Sequence, residues 1–212
     1  MTAAQGEKAP NAQMFGQYAA AYALHRPRYP DALWAWMASQ CAQRQQAWDA
    51  GCGNGQAAMA LAAHFDAVLA TDVSAEQIAA APPHPRVRYR VARSEDVALP
   101  PRSVDLVCVA QALHWFELPR FWPRVQAALR PGGVFVALAY GTFSIDGVAD
   151  EITQCVFYDR VAPYQAEGNR QVAAGYAGIV LPFERVDAPV FAITCSWSLD
   201  QLLGYAGTWS AV

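Results

Sequence analysis

An acid and three glycines fall within seven residues in "DAGCGNG": Asp49, Gly51, Gly53 and Gly55. Glycine adopts positive φ without strain and has no Cβ, so such a run lets ligand atoms come against the main chain. A phosphate, a nucleoside and a bare tight turn all fit that description. A Walker phosphate loop needs G-x-x-x-x-G-K-[ST], and here Gln56 and alanines stand where the lysine and hydroxyl belong. The dinucleotide fingerprint is G-x-G-x-x-G, whereas this chain has the tighter G-x-G-x-G with an acid two positions ahead. A second acid, Asp72, ends "AVLATD" some twenty residues on. There a carboxylate can take both hydroxyls of a ribose, or simply cap a helix ahead of Ser74. Nucleoside and turn both remain open.

These residues need elements to hold them. "QAWDA" is a short strand that ends near Asp49, and a helix follows from about Gly55 to His64. Further strands are expected at "AVLATD", "RVRYRVA", "SVDLVCVA" and "VFVALAY". "SVDLVCVA" is apolar nearly throughout, as a strand buried on both faces should be. Between them, "SAEQ" from Ser74 reads as a capping box, and Phe121, Val125 and Leu129 form a helical stripe that ends at "RPGG". Val148, Ile152, Val156 and Asp159 mark another helix. "FERVDAPVFAITCSW" is expected to be a further strand region, and "SLDQ" at Ser198 repeats the capping signature before a last helix. Strand and helix in alternation mean a parallel sheet covered on both faces, an α/β fold. Ahead of the sheet, residues 1–13 read as a disordered leader. Residues 14–40 read as a helical cap, with Phe15, Tyr18 and Tyr22 on one face and Leu33, Trp34 and Met37 on another. Residues 14–212 make one domain, with 41–212 as its core.

A chain of 212 residues that is 54% hydrophobic and 16% charged should pack rather than stay solvated. Its net charge of −3, with Lys8 the only lysine, argues against a nucleic-acid surface, which needs clustered cations. Five scattered cysteines show no metal spacing, so no metal and no disulfide framework is expected. No apolar run reaches the ~20 residues of a membrane helix, and a cytoplasmic protein is expected.

The motifs "DAGCGNG", "ATDVS", "SEDVALP", "SVDLV" and "LRPGG" occur in the order and spacing of class I S-adenosylmethionine-dependent methyltransferases, and the chain resembles that family. "YAAAYALHRPRYP", "QALHWF" and "GYAGTWSAV" look most like the branch of trans-aconitate and ubiquinone-biosynthesis methyltransferases. The resemblance implies a Rossmann-like core, S-adenosylmethionine as cofactor, S-adenosylhomocysteine as product, and a small-molecule acceptor bearing a carboxylate or hydroxyl. It implies that Asp49, Gly51 and Gly53 hold the methionine part of the cofactor. Asp72 would take the ribose, Val73 would lie against the adenine, Ser94 and Glu95 would edge it, and Ala110 would touch the cofactor through its main chain. Tyr18 and Arg26 would reach the cofactor carboxylate or close over the substrate. Trp115, Phe116 and Tyr140 would line the substrate pocket, with Arg26 and Arg28 placed to clamp a carboxylate.

His114 is the first choice of general base for a hydroxyl or acidic carbon, because its pKa naturally lies near operating pH. The alternative is a histidine packed at the pocket rim. Family members usually finish with a last antiparallel strand inserted beside the fifth, and here it is expected to be missing. The exposed edge would then lower stability or promote self-association. Two rivals stand: a module that binds the cofactor without turnover, and a nicotinamide-dependent dehydrogenase.

Overall fold

The computed structural model describes residues 26–164 and 167–208. The leader over residues 1–13 and the helical face of Phe15, Tyr18 and Tyr22 lie outside the described residues. Five strands form one parallel sheet: β1 (Gln46–Ala50), β2 (Ala67–Asp72), β3 (Val87–Val91), β4 (Val104–Ala110) and β5 (Leu129–Leu138). Their spatial order is β3-β2-β1-β4-β5, so the chain reverses direction across the sheet between β1 and β4. In such sheets the crevice at that reversal, beyond the carboxyl ends of the strands, receives ligands.

The helices divide between the two faces. On one face α1 (Asp31–Ser39) and α2 (Gln56–Leu61) bury Leu33, Trp34, Met37, Ala58 and Leu61 against Ala47, Val68, Leu106 and Cys108, with Ile78 of α3 (Ala75–Ala79) packed alongside. On the other face α4 (Leu118–Ala128) buries Phe121, Val125 and Ala128 against Trp48, Val107 and Val109. Residues of alternate parity along each strand therefore face different layers, as the pleat requires. β4 is buried along six of its seven residues, in keeping with its unbroken apolar sequence. β3 is an edge strand that leaves Arg88 and Arg90 exposed, a charge placement that discourages further pairing.

After α4 the chain passes straight into β5 at Leu129, and "RPGG" becomes an irregularity in the ladder: Val104 pairs with Leu129 but Leu106 with Val134. Beyond β5, α5 (Gly147–Thr153) runs through a π-helical turn at Gln154–Tyr158 into α6 (Asp159–Val161), and α7 (Glu167–Ala173) follows. The helix expected from Val148, Ile152 and Val156 is present, but those residues are exposed, since no described residue packs over that stripe. The strand expected within Phe183–Trp197 does not form. No backbone hydrogen bond joins this segment to β5 among the described residues, and an alternating sequence without a ladder partner is not a strand. Instead it crosses the outer edge of β5, stacking Phe183 on Phe135 on one face and setting Phe191 against Trp36 on the other. α8 (Leu199–Ala206) closes the described chain, with the reciprocal capping box of Ser198 and Gln201 that the sequence announces.

One buried acid holds the amino ends of the central strands together. Asp105 accepts from the backbone N–H of Gln45 and Gln46 at 2.8 and 2.9 Å, and its other oxygen meets the Arg130 guanidinium at 2.6 Å. This ties β1, β4 and β5 at one point. Removing the carboxylate leaves two part-buried amides and one cation without their shared partner. We expect Asp105→Ala to cost about 3 kcal/mol of unfolding free energy, read from urea transitions as a lowered midpoint with an unchanged slope.

Candidate functional site

The site is built where β1 ends. Asp49 is fully buried, flanked in the sheet by Ala70 of β2 and Cys108 of β4. The chain then turns at Gly51, where φ is +73° and an added Cβ would lie 2.6 Å from the Ala112 Cβ. That turn folds back on β2. The N–H groups of Gly51 and Cys52 both donate to the Thr71 carbonyl, at 2.8 and 2.9 Å, and the Gly53 N–H donates to Asp72 Oδ2 at 2.8 Å. At Gly55, φ is +86° and a Cβ would strike the Tyr89 hydroxyl of β3 at 2.5 Å. Three consecutive amides are thus spent inside the protein. With those amides spent, the turn leaves a buried acid beside the cavity, which disfavours a phosphate and suits a cation.

Asp72 has a second duty. Its Oδ1 accepts from the Ser74 N–H at 2.9 Å, while Ser74 Oγ accepts from the Gln77 N–H and so caps α3. The capping half expected from the Gln77 side chain is therefore supplied by Asp72. The capping reading of this acid holds, and the same side chain also lines the crevice.

The two acids lie in a cavity of about 220 Å³. From the first turn come Asp49, Gly51 and Gly53; Asp72 and Val73 come from the end of β2, and Ser94 and Glu95 from beyond β3. Ala110, Trp115 and Phe116 line it from the end of β4 and the segment after it, Tyr140 from beyond β5, and Arg26 from the start of the described chain. Glu95 is buried and accepts from the Glu117 N–H at 2.8 Å, which fixes the segment that carries Trp115 and Phe116. Phe116 is held further by an edge contact with Phe121. Arg26 donates to the Tyr140 hydroxyl at 3.3 Å and the Thr208 carbonyl at 3.0 Å, and lies over the Tyr205 ring, so segments far apart in sequence meet at the cavity mouth.

Three expectations fall elsewhere. Tyr18 lies outside the described residues. Arg28 is exposed and does not line the cavity, although Pro27 and Tyr29 beside it do. His114 does not line it either: its ring packs on Trp115 and shares a hydrogen bond with the Tyr176 hydroxyl at 3.0 Å, and burial lowers its pKa to about 4. The short 3-10 turn Leu113–Trp115 after β4 carries His114 outside the cavity lining, while its neighbours Trp115 and Phe116 line it. Sequence reasoning missed Tyr29, Gln77 and Gln111 as lining residues. Gln111 has positive φ, +55°, and donates from its side chain to the Tyr140 carbonyl at 3.1 Å, joining the ends of β4 and β5. Its place in "QALHWF" hints at the site, but the strained backbone is visible only in three dimensions.

A doubly wound parallel sheet with this acid-lined crevice defines a nucleoside-binding α/β protein of the Rossmann type. Comparison with known proteins narrows the class. Residues 48–137 match a family described as a methyltransferase domain. A solved structure from Anaeromyxobacter dehalogenans, described as a type II methyltransferase, is 43% identical, with a TM-score of 0.83 over 88% of this chain and 80% of that one. A Dictyostelium discoideum protein described as a methyltransferase is 32% identical over 200 residues, 92% of this chain and 76% of its own length. A methyltransferase of Aspergillus aculeatus is 35% identical over 130 residues, 57% of this chain, and the chain spans only 41% of it. The chain belongs to the S-adenosylmethionine-dependent methyltransferases. Among the described residues no helix is long and apolar enough to cross a membrane, and no group of three His, Cys, Asp or Glu is placed to hold a metal.

Neither oxygen of Asp49 makes a hydrogen bond of full geometry, although the Ala58 amide at the start of α2 is near enough to act on it. Burial first, and the nearby charge of Asp72 second, push its pKa up from 3.8 to about 7, with the Ala58 amide acting the other way. The folded protein therefore keeps a proton that the unfolded chain has already lost, and this acid makes stability fall as pH rises from about 4 to about 7. In the cofactor-free protein we expect Asp49→Asn to melt higher than wild type at about pH 8, with the advantage shrinking toward about pH 5. Thermal scans across that range measure it.

Proposed function

We propose that this protein is a cytoplasmic enzyme that methylates a small acidic metabolite. It holds S-adenosylmethionine between Asp49 and Asp72 and receives the acceptor from the side of Arg26, Trp115, Phe116 and Tyr140. The observation that carries this is Asp49: a fully buried carboxylate, without a hydrogen bond of full geometry, beside a turn whose amides are spent. Such a group is costly unless a cation or donors complete it, and the aminoacyl ammonium of the cofactor would do so. Each oxygen of Asp72 already accepts one amide and retains a lone pair for a ribose hydroxyl. Val73 and Ser94 would flank the adenine, Glu95 would edge it, and the main chain of Ala110 would meet the cofactor.

When bound, S-adenosylmethionine supplies a methyl group already activated by its sulfonium, so an acceptor lone pair forms the new bond to carbon as the C–S electrons return to sulfur and leave S-adenosylhomocysteine. The protein's own task is orientation, which can supply about 7–11 kcal/mol. Arg26 is the guanidinium at the mouth and would pair with an acceptor carboxylate, the arrangement that makes Arg effective for that group. With His114 turned out of the cavity, an acceptor that needs no base fits better than one that must lose a proton. A carboxylate is therefore the favoured nucleophile and a hydroxyl the second. The likeness to the trans-aconitate branch supports an acid of that size.

Two measurements test the berth and the transfer. Affinity for S-adenosylhomocysteine, read by calorimetry, is expected to rise from about pH 6 to about pH 8 as Asp49 ionises, and to lose that slope in Asp49→Asn. Asp72→Ala and Gly53→Val should each weaken binding by at least about tenfold; undiminished affinity in both would overturn the assignment. Incubation with a mixed pool of carboxylic acids should release S-adenosylhomocysteine. Binding without release across a wide pool would favour a module that only holds the cofactor.

We also propose that the outer edge of β5 pairs with a second copy of the chain. No backbone hydrogen bond crosses that edge among the described residues, and unpaired edges are a known route to association. Sedimentation should show concentration-dependent association; a monodisperse monomer at all concentrations would contradict it.

A further inference from the structure

The wall that carries Trp115 and Phe116 is anchored in two different ways. Phe116 rests on the core: a Cβ at Gly51 would be 3.0 Å from its ring, and its ring meets Phe121 at 4.8 Å. Trp115 has its ring centroid 4.6 Å from that of His114, and His114 is in turn gripped by the chain beyond β5. Tyr176, three residues after α7, gives its hydroxyl to that grip at 3.0 Å from His114 Nδ1. It does so from a left-handed backbone, φ +58°, that a bulky residue adopts only when its surroundings hold it there. Gly168 in α7 completes the enclosure. A Cβ on it would lie 2.6 Å from His114 Cδ2 and 3.3 Å from Cγ, so only glycine lets α7 close on the imidazole.

We propose that Tyr176 and Gly168 are positioning residues: together they clamp His114, and through it fix Trp115 in the cavity wall, so that α7 sets the shape offered to the acceptor while the cofactor berth at Asp49 and Asp72 is left unchanged. The inference rests on the methyltransferase reading above and adds to it the element that selects the acceptor. Burial keeps the imidazole neutral, with its pKa at about 4, and holds the Tyr176 hydroxyl protonated well above its ordinary range. The clamp is therefore a hydrogen bond between neutral groups and stays made across the working pH range. A neutral buried pair of this kind contributes about 1–1.4 kcal/mol, enough to move a binding constant five- to tenfold.

The clamp can be released from either side. Tyr176→Phe keeps the ring and deletes the hydroxyl. Gly168→Ala favours the helix that carries it but drives a methyl group into the imidazole. Both are expected to leave S-adenosylhomocysteine affinity within about twofold of wild type, and to raise KM for any acceptor that wild type methylates by about five- to tenfold, with kcat within about threefold. An unchanged KM in both variants, or a parallel fall in cofactor affinity, overturns the clamp. Failure of the wild type to methylate any acceptor would count against the methyltransferase reading instead. The clamp is then judged by amide hydrogen exchange: faster exchange at residues 113–116 in both variants supports it, and exchange altered only around residues 168–176 overturns it.

Discussion

A carboxylate at the end of β1 has been taken out of water without a hydrogen bond of full geometry, and the crevice is organised around that fact. Asp49 sits in the middle of the sheet, between β2 and β4, where no solvent reaches. An ionised acid there, left uncompensated, is among the costliest arrangements a fold can contain. The protein moderates the cost by letting the group hold its proton up to about pH 7. It does not remove the cost. The amides of Gly51, Cys52 and Gly53 lie next to it in sequence, and would be the natural donors, yet they are turned onto Thr71 and Asp72. A turn that withholds its donors from the nearest acid keeps that acid available for something else.

Asp105 shows what the same side chain does when stability is the aim. It is as buried as Asp49, but it takes two backbone amides and an arginine. The two acids mark opposite ends of the sheet. At the amino ends of the strands two amides and a guanidinium converge on Asp105 and tie β1, β4 and β5 together; at the carboxyl ends Asp49 has no such set of donors. Asp72 is intermediate, since its two amide bonds fix the first turn and cap α3 while its remaining lone pairs face the cavity. Sites that bind or react commonly carry such unresolved polarity, and the rest of the fold has to be stable enough to tolerate it.

The features legible in the sequence are those whose cause is local. β4 is apolar because it has neighbours on both sides and helices on both faces, and that pattern is unmistakable in one dimension. The Ser198 cap, the glycine turn and the acid at the end of β2 are equally local, and each stands where the motifs place it. The misses have non-local causes. Residues 183–197 alternate like a strand, but a strand exists only with a partner, and this segment meets β5 through aromatic rings alone. Val148, Ile152 and Val156 form a correct helix whose apolar face finds no cover among the described residues. The chemistry of His114 suggests a base, yet its surroundings are set by Gly168 and Tyr176, more than fifty residues away.

That division separates the two halves of the site. The proposed cofactor side is built from stretches that run in order from Asp49 to Ala110, with the first turn and the end of β2 tied together by hydrogen bonds. Because the geometry is carried by short sequence spacings, the motifs suffice to announce it. The proposed acceptor side is assembled from Arg26, Trp115 and Tyr140, braced by Thr208, Tyr205 and Tyr176, which share no motif and meet only in the folded chain. A ligand common to a whole family can be written into local spacings, since every member needs the same contacts. A ligand that differs between members has to be written where substitution does not disturb those contacts, in segments that pack onto the sheet from outside. The cavity wall at Trp115 meets that condition: it adjoins the cofactor berth but takes its support from α7, so it can change shape while Asp49 and Asp72 stay as they are.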